Sequence, residues 1–216
     1  MMKIWGGMKT KTVRGTLAAT LALALVFGAP AQAANAATVN GEQLDFANKM
    51  SPGTNIGYKI FAGNEYTSSI PAAVNMLMYP SGLSNPMVLW STTATANSQM
   101  DFYQYSDSLS GVAAYATVWE KDPNGPPSNP GYRKMPTIAM DWRDWRYAEI
   151  RLNDAEMDSM SATTRKKIIL HEMLHGYGLR DLVKAANKPR IMYAYMAGWT
   201  ATGLTAAENN VLVAKY

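Results

Sequence analysis

The chain contains only two histidines, and they lie four residues apart with an acidic residue between them. The residues are His171, Glu172 and His175, in the stretch His-Glu-Met-Leu-His. Side chains four positions apart share one face of a helix, so both imidazoles could bind a single ion. Zn²⁺ binds imidazole nitrogen readily, and in catalytic sites it keeps one position open for water. The spacing therefore predicts a zinc site on a helix, with His171 and His175 as ligands.

Glu172 is the predicted general base of this site. It lies about 100° around the helix from His171, where its carboxylate can reach a water on the zinc rather than bind the ion. A carboxylate in that place would take the proton of the water that attacks a peptide carbonyl, and then pass it to the leaving amine. The alternative for the same helix is structural, with buried histidines that satisfy backbone carbonyls.

The third protein ligand cannot be a histidine, because the chain has no other. Gly178 follows His175 by three residues, and Asp181 follows Gly178 by three more. A left-handed turn at the glycine would end the helix and bring Asp181 beneath the ion. Glu208, 33 residues beyond His175, is the rival ligand. The position of the glycine favours Asp181.

The stretch HEMLHGYGLRD is similar to the extended zinc-binding motif of the metzincin metallopeptidases. The aspartate at its end, where most members have histidine, resembles the snapalysin-type secreted proteases of streptomycetes. Residues 190–193 resemble the methionine turn that these enzymes place beneath the zinc, with Met192 as the methionine. The tail from Leu204 to Tyr216 is similar to the last helix of bacterial matrixin-like members. The resemblance covers residues 149–216 and is weak upstream, and Leu174 stands where many members have glycine.

The resemblance implies an α+β fold with a mixed sheet of roughly five strands, an active-site helix, a methionine turn and a C-terminal helix. It also implies a zinc endopeptidase whose substrate lies extended along an edge strand. The strand expected over Val112–Trp119 is the candidate for that edge. Residues 193–199 are expected to wall the pocket beyond the scissile bond.

Apolar periodicity and turn residues predict the other elements independently of the resemblance. The expected helices cover Ser68–Tyr79, 163–177 and 205–214, the last begun by a capping box at Thr205 and Glu208. The expected strands are Ile56–Phe61, Met87–Thr92, 102–105, Val112–Trp119, Thr137–Met140 and Ala148–Leu152. The proline-rich stretch 121–131 is a predicted loop. In the segment 142–146, the tryptophan rings are expected to cover the core and the charges to face water.

The first 33 residues have the pattern of a secretory signal peptide. An apolar run from Leu17 to Phe27 is followed by small residues, with Ala31 and Ala33 in the arrangement that signal peptidase recognises. Cleavage is expected after Ala33, or alternatively after Ala36. The run is preceded by the positive charges Lys3, Lys9, Lys11 and Arg14.

Residues 34–53 have little periodicity and predict a flexible N-terminal segment or a short propeptide. As a propeptide, the segment could block the site by offering the zinc a carboxylate, from Asp45 or from Glu42. Residues 54–216 would then form the catalytic domain.

Composition excludes several classes of protein. The chain has no cysteine, so it has no disulfide, no thiolate nucleophile and no thiolate metal ligand. Its formal net charge is +4, but four of its 20 Lys and Arg residues lie in the leader, which leaves 16 basic and 16 acidic residues beyond it. This balance argues against nucleic-acid binding.

We therefore expect a secreted, extracellular monomer that acts on proteins or peptides and does not bind a membrane once the leader is removed. One alternative is a non-catalytic, secreted metal-binding module. The other is a surface protein that keeps its leader. Asp122, Asn124 and Asn129 of the loop could bind Ca²⁺, but no calcium-binding motif supports that site.

Overall fold

The structure, a computed structural model, describes residues 37–51, 53–122 and 131–216. Within these residues the fold is mixed α/β, with a six-stranded mixed sheet and four α-helices, which is consistent with the expected α+β class. The predicted leader and most of the proline-rich loop, with Asn124 and Asn129, lie outside the described residues. In the part of the chain that is described, every helix is too short or too polar to cross a membrane.

The main sheet has both parallel and antiparallel pairs. Its spatial order is β4-β3-β5-β8-β6-β7, in which β3, β4, β5 and β8 are parallel neighbours and β6 runs antiparallel to β8 and β7. A separate two-stranded ribbon near the N-terminus is formed by β1 and β2. The strands are β1 (Thr38–Val39), β2 (Glu42–Gln43), β3 (Asn55–Ile60), β4 (Val88–Ser91), β5 (Ser98–Tyr105), β6 (Ala114–Asp122), β7 (Gly131–Lys134) and β8 (Tyr147–Asn153).

The described helices are α1 (Ser69–Met78), α2 (Asp154–Met157), α3 (Ala162–Gly176) and α4 (Ala206–Lys215). Helix α3 packs against α1 and against strands β6 and β8. It begins at Ser161, whose hydroxyl accepts the Thr164 N–H at 3.1 Å, an N-cap contact that satisfies a free helix donor. Its apolar face, which includes Ile169, Leu170 and Met173, is fully buried.

The last residue of α3 lies directly on the sheet. A β-carbon added to Gly176 would come within 3.0 Å of Met100 and 3.1 Å of Ala148, both in neighbouring strands. The indole N–H of the fully buried Trp145 donates to the Gly176 carbonyl at 2.7 Å. The end of α3, where the histidines lie, is therefore fixed against the centre of the sheet.

One predicted strand is a different element in the structure, and one observed strand was not predicted. Thr137–Asp141 is a 3₁₀-helix, not a strand. The β-branched residues there favour a strand, but Met135 is the last residue to donate to β6, and the Pro136 carbonyl then accepts the Ala139 N–H at 2.8 Å, which closes a turn. The sequence also gave no signal for β7, because this short strand pairs only with the end of β6 and is largely exposed, so it lacks an apolar alternation.

In the Trp142–Trp145 segment, one tryptophan ring covers the core as expected and the other does not. Trp145 is fully buried, whereas Trp142 is 77% exposed. Arg143 forms an ion pair with Glu120 at 2.9 Å, so its charge lies at the surface of the sheet as expected.

From residue 37 onward, the N-terminal segment is packed on the domain, so the expectation of a flexible stretch is wrong for residues 37–51. Leu44 and Met50 are fully buried. The segment is hydrogen bonded to the turn after α3, since Phe46 N–H donates to the Gly178 carbonyl at 2.9 Å and Arg180 N–H donates to the Leu44 carbonyl at 2.8 Å. Removal of the segment as a propeptide stays a prediction.

The two acids proposed to block the site are engaged elsewhere. Asp45 accepts the Ala37 N–H at 2.8 Å and pairs with Lys215 at 3.1 Å. Glu42 accepts the backbone N–H groups of Val183 and Lys184 at 3.1 and 2.9 Å. Neither carboxylate is therefore turned toward the histidines.

If the N-terminal segment is part of the core, Leu44→Ala should lower the free energy of unfolding by about 2–5 kcal/mol, the usual effect of removing a fully buried leucine. Leu109→Ala is the matched control, because Leu109 is 95% exposed; it should change the free energy by less than about 0.5 kcal/mol. Urea unfolding followed by circular dichroism measures both. Equal, small effects would show that the segment is a detachable tail.

Candidate metal centre

The two histidine rings are oriented by backbone carbonyls. His171 Nδ1 lies 2.8 Å from the Ile191 oxygen, and His175 Nδ1 lies 2.9 Å from the Leu179 oxygen. A carbonyl oxygen only accepts hydrogen bonds, so Nδ1 carries the proton in both rings. In the neutral ring Nε2 is then left with a free lone pair, the form in which imidazole binds a metal.

Three potential ligand atoms converge at the end of α3. The Nε2 atoms of His171 and His175 are 3.0 Å apart, and Asp181 Oδ1 lies 3.2 and 3.5 Å from them. Around a tetrahedral zinc with ligands at 2.0–2.2 Å, neighbouring donor atoms would be roughly 3.3–3.6 Å apart. The three separations are close to that range, and two imidazoles with one carboxylate are ligand types that zinc accepts. The residues present therefore fit the predicted ion.

The turn at Gly178 brings Asp181 to the histidines, as the sequence predicted. Gly178 has a φ of +91° and its N–H donates to the His175 carbonyl at 2.9 Å, directly after α3 ends. The chain then reverses, so that the Leu179 carbonyl meets His175 and Asp181 follows. Gly178 is also closely packed, because an added β-carbon would lie 2.9 Å from the Trp145 ring and 3.2 Å from the Asn48 carbonyl.

The electrostatics of the cluster favour a positive charge at its centre. Burial acts to lower the pKa of His175, but the hydrogen bond to Asp181 and the nearby Glu172 and Asp181 carboxylates outweigh it and raise that pKa to about 9. Burial acts to raise the pKa of Asp181, but its hydrogen bonds to His171 and His175 hold it well below its usual range. The same arrangement that retains a proton here would favour a metal cation.

Glu172 is a buried carboxylate beside the two rings. It is 7% exposed, and its oxygen lies with the two imidazole nitrogens in a group whose atoms are all within 4.8 Å of one another. Among the described residues it has no hydrogen-bond or ion-pair partner. The carboxylate lines the adjacent clefts instead, where it can meet a bound molecule.

Two clefts meet at His171 and Glu172. One has a volume of about 490 Å³ and also contains His175, Asp181 and residues 114–118 of β6. The other, of about 440 Å³, is walled by residues 193–197 and Trp199, which lie in the range that the sequence assigned to a pocket wall. A chain crossing from one cleft to the other would pass the cluster.

Only the first part of β6 is an open edge. Asn153 N–H donates to the Ala113 carbonyl, so alternate residues from 113 onward turn their backbone groups to β8. The backbone groups of Ala114 and Ala116 therefore face away from β8. On that side β6 is paired only from Val118 onward, where the Val118 carbonyl accepts the Met135 N–H and β7 begins to pair. Within the described residues, Ala114 and Ala116 have no strand partner on that side, next to the cleft that contains the histidines.

Glu208 is not part of the histidine cluster. Its side chain is fully buried, its Oε1 accepts the Met192 N–H at 2.8 Å, and its Oε2 accepts the Thr205 N–H and hydroxyl at 2.9 and 2.8 Å. This confirms the predicted capping box. The carboxylate of the rival ligand is thus engaged, whereas Asp181 is half-exposed beside the rings.

Several supporting groups had no signal in the sequence. The Ile191 and Leu179 carbonyls belong to the backbone, whose direction no residue type specifies. The Trp199 ring lies edge-on to His171, with centroids 6.3 Å apart, and its N–H donates to the Arg190 carbonyl at 2.7 Å. A tryptophan in the segment predicted to wall the pocket suggests that its ring contacts the site, but the sequence does not indicate that His171 is the residue it contacts.

Comparison of the chain with models of protein families gives no match, and comparison with curated proteins gives no significant match.

The tight packing around Gly178 predicts that Gly178→Ala is more damaging than the same change at an open glycine. Gly63 is the matched control, because its φ is +83° and nothing lies within 4 Å of an added β-carbon. Gly63→Ala should destabilise the fold by about 1–2 kcal/mol through backbone strain alone. Gly178→Ala should exceed that by about 1–3 kcal/mol, since Trp145 and Asn48 must move. Equal losses in urea unfolding would contradict the packing.

Proposed function

We propose that the protein is a secreted, zinc-dependent endopeptidase of the metzincin type. The observation that carries this proposal is the convergence of three metal-binding atoms, from His171, His175 and Asp181, beside the unengaged carboxylate of Glu172. The Glu172 carboxylate lines both clefts without a partner among the described residues, and a purely structural metal site does not require such a group. A general base does require such a group.

His171, His175 and Asp181 would hold the ion, and Glu208 would not. Zinc bound there would supply Lewis acidity, which polarises a water molecule and the carbonyl of the substrate. The carbonyls of Leu179 and Ile191 orient the two rings, and outer contacts of this kind raise ligand basicity.

Glu172 would perform the proton transfers. Its carboxylate accepts the proton of the attacking water and then donates it to the nitrogen of the leaving amine, so the residue returns to its starting form. Glu172 lines both clefts, so it would lie beside a peptide bond that crosses from one to the other.

The substrate would bind as an extended chain. Ala114 and Ala116 offer N–H and C=O groups to a peptide beside β6, so that the peptide adds a strand to this part of the sheet. The cleft walled by residues 193–197 would receive side chains beyond the scissile bond. Recognition through the main chain fits an enzyme that acts on proteins or peptides.

Secretion is proposed from the leader alone. The positive segment, the apolar run and the Ala31–Ala33 site support export followed by cleavage. The absence of cysteine leaves bound zinc as the main added source of stability for an extracellular domain.

The direct test is proteolysis by the mature protein with and without a zinc chelator. Glu172→Gln should retain zinc and lose about 10²–10⁴-fold in kcat, because an amide cannot accept the proton of the water. Glu65→Gln makes the same chemical change on an exposed side chain and should leave kcat unchanged. Casein digestion measures activity, and atomic absorption measures bound zinc. Full activity in Glu172→Gln would remove Glu172 from the mechanism, and zinc binding without activity in the wild type would favour a binding module.

A second test concerns the third ligand. Asp181→Ala should weaken zinc binding by roughly 100-fold or more, a larger effect than losing an outer contact, and should lower the melting temperature of the zinc-loaded protein. Asp181→His should restore part of the affinity, because imidazole is also a zinc ligand. Competition with a chelating dye gives the affinities. If Asp181→Ala binds zinc as tightly as the wild type, Asp181 is not a ligand.

A further inference from the structure

The peptide group between Ile191 and Met192 is hydrogen bonded on both sides. Its carbonyl accepts the His171 Nδ1–H at 2.8 Å, and its N–H donates to Glu208 Oε1 at 2.8 Å. The carbonyl and the N–H belong to one planar, conjugated unit. A single peptide plane therefore connects the imidazole of His171 to the buried carboxylate of Glu208.

The Glu208 carboxylate is held in place by α4. Oε2 accepts both the N–H and the hydroxyl of Thr205, and Arg190 donates to that hydroxyl at 3.0 Å. Burial raises the pKa of Glu208, although the hydrogen bonds from Met192 and Thr205 and the charge of Arg190 oppose that effect. All the contacts of the carboxylate are with donors, an environment that favours its ionised form.

The His175 ring also donates to a hydrogen-bonded peptide group, but the far side of that peptide contacts a neutral carbonyl. The Leu179 carbonyl accepts the His175 Nδ1–H at 2.9 Å, and the Arg180 N–H on the same peptide donates to the Leu44 carbonyl at 2.8 Å. The two histidines thus differ in what lies behind the ring: the peptide behind His171 ends on a carboxylate, and the peptide behind His175 ends on a carbonyl. The His175 signal therefore serves as a reference that substitutions at Glu208 should not change.

Met192 also joins the turn to Leu182, the residue that follows Asp181. The Met192 carbonyl accepts the Leu182 N–H at 2.8 Å, and the Ala194 N–H donates to the Leu182 carbonyl at 3.0 Å. Glu208 accepts the Met192 N–H, and the Leu182 N–H donates to the Met192 carbonyl. Met192 is therefore fixed between the peptide that contacts His171 and the residue next to Asp181.

We propose that Glu208 is a positioning residue for His171, acting through the Ile191–Met192 peptide. Its negative charge polarises the peptide, which makes the Ile191 carbonyl a stronger acceptor for the His171 Nδ1–H. The stronger hydrogen bond fixes the tautomer and the orientation of the ring, and directs Nε2 toward His175 and Asp181. The role of Nε2 as a zinc ligand rests on the proposed function, but the hydrogen-bonded link does not.

The test compares two substitutions in the same capping box. Glu208→Gln keeps an oxygen for the Met192 N–H and removes the charge. Thr205→Val removes a hydroxyl that contacts Glu208 and leaves the charge in place, so it reports the loss of helix capping alone. Glu208→Gln should weaken zinc binding about 10–100-fold, the usual effect of losing an outer contact of a metal-bound histidine. Thr205→Val should lower the melting temperature and leave zinc affinity unchanged.

Nuclear magnetic resonance of metal-free protein measures the chemical shifts of the imidazole N–H groups. A role of Glu208 in helix capping alone would not change these shifts. The chain has only two histidines, so each ring signal can be assigned with a single substitution. Glu208→Gln should move the His171 Nδ1–H signal upfield, because its hydrogen bond is weaker, and leave the His175 signal in place. Each ring is compared only with itself in the wild type, because the raised pKa of His175 and the Trp199 ring beside His171 also affect where the two signals lie.

A loss of zinc affinity below tenfold in Glu208→Gln, or an equal loss in Thr205→Val, would overturn the proposal. So would an equal movement of both ring signals. If Glu208→Gln does not fold, Glu208→Asp decides, because it keeps the charge and shortens the reach to the Met192 N–H; a His171 signal that does not move in that variant contradicts the link. Absence of zinc binding or proteolysis in the wild type would contradict the proposed function instead, while leaving the ring signals to test the link.

Discussion

Two imidazole nitrogens that face each other at 3.0 Å, each with its ring proton committed to a carbonyl on the far side, present lone pairs to the same small space. Lone pairs repel at that distance unless a cation lies between them, and the carboxylate of Asp181 adds a negative charge. Burial opposes a charge on His175, but the hydrogen bond to Asp181 and the charges of Glu172 and Asp181 raise its pKa, so a proton is stabilised at this place. A metal ion could supply the positive charge for all three groups at once. The rest of the site serves to hold these atoms against their repulsion.

The atoms are held by segments that are distant in the sequence. The N-terminal segment supplies the Leu44 carbonyl behind His175, and α4 supplies the Glu208 carboxylate behind His171. Both contacts act through a peptide plane rather than a side chain, and peptide planes are rigid. The sheet completes the support, because Gly176 and Gly178 at the end of α3 lie against Met100, Ala148 and Trp145. A stable fold is therefore needed before the three ligand atoms can meet.

The sequence predicted the parts of the site that depend on residue type and local spacing. The helix that holds His171 and His175 follows from apolar periodicity, the turn follows from Gly178, and the capping box follows from Thr205 and Glu208. The supporting carbonyls could not be predicted, because any residue carries one. The packing of residues 37–51 was also missed, because the few apolar residues there have neither the spacing of a strand nor that of a helix. Leu44 and Met50 are buried by tertiary contacts alone. At Thr137–Asp141 a turn closed by the Ala139 N–H and the Pro136 carbonyl replaces the strand that residue propensity favours.

The central claim is that His171, His175 and Asp181 form one zinc site, and anomalous diffraction at the zinc absorption edge tests it most directly. Crystals of the protein grown with Zn²⁺ should give a single strong peak at the end of α3, about 2.0–2.2 Å from both Nε2 atoms and from an Asp181 oxygen. The Glu172 carboxylate should lie outside ligand distance, and Glu208 should remain bonded to Met192. A peak elsewhere, or a peak in which Glu172 or Glu208 replaces Asp181 as a ligand, would contradict the account.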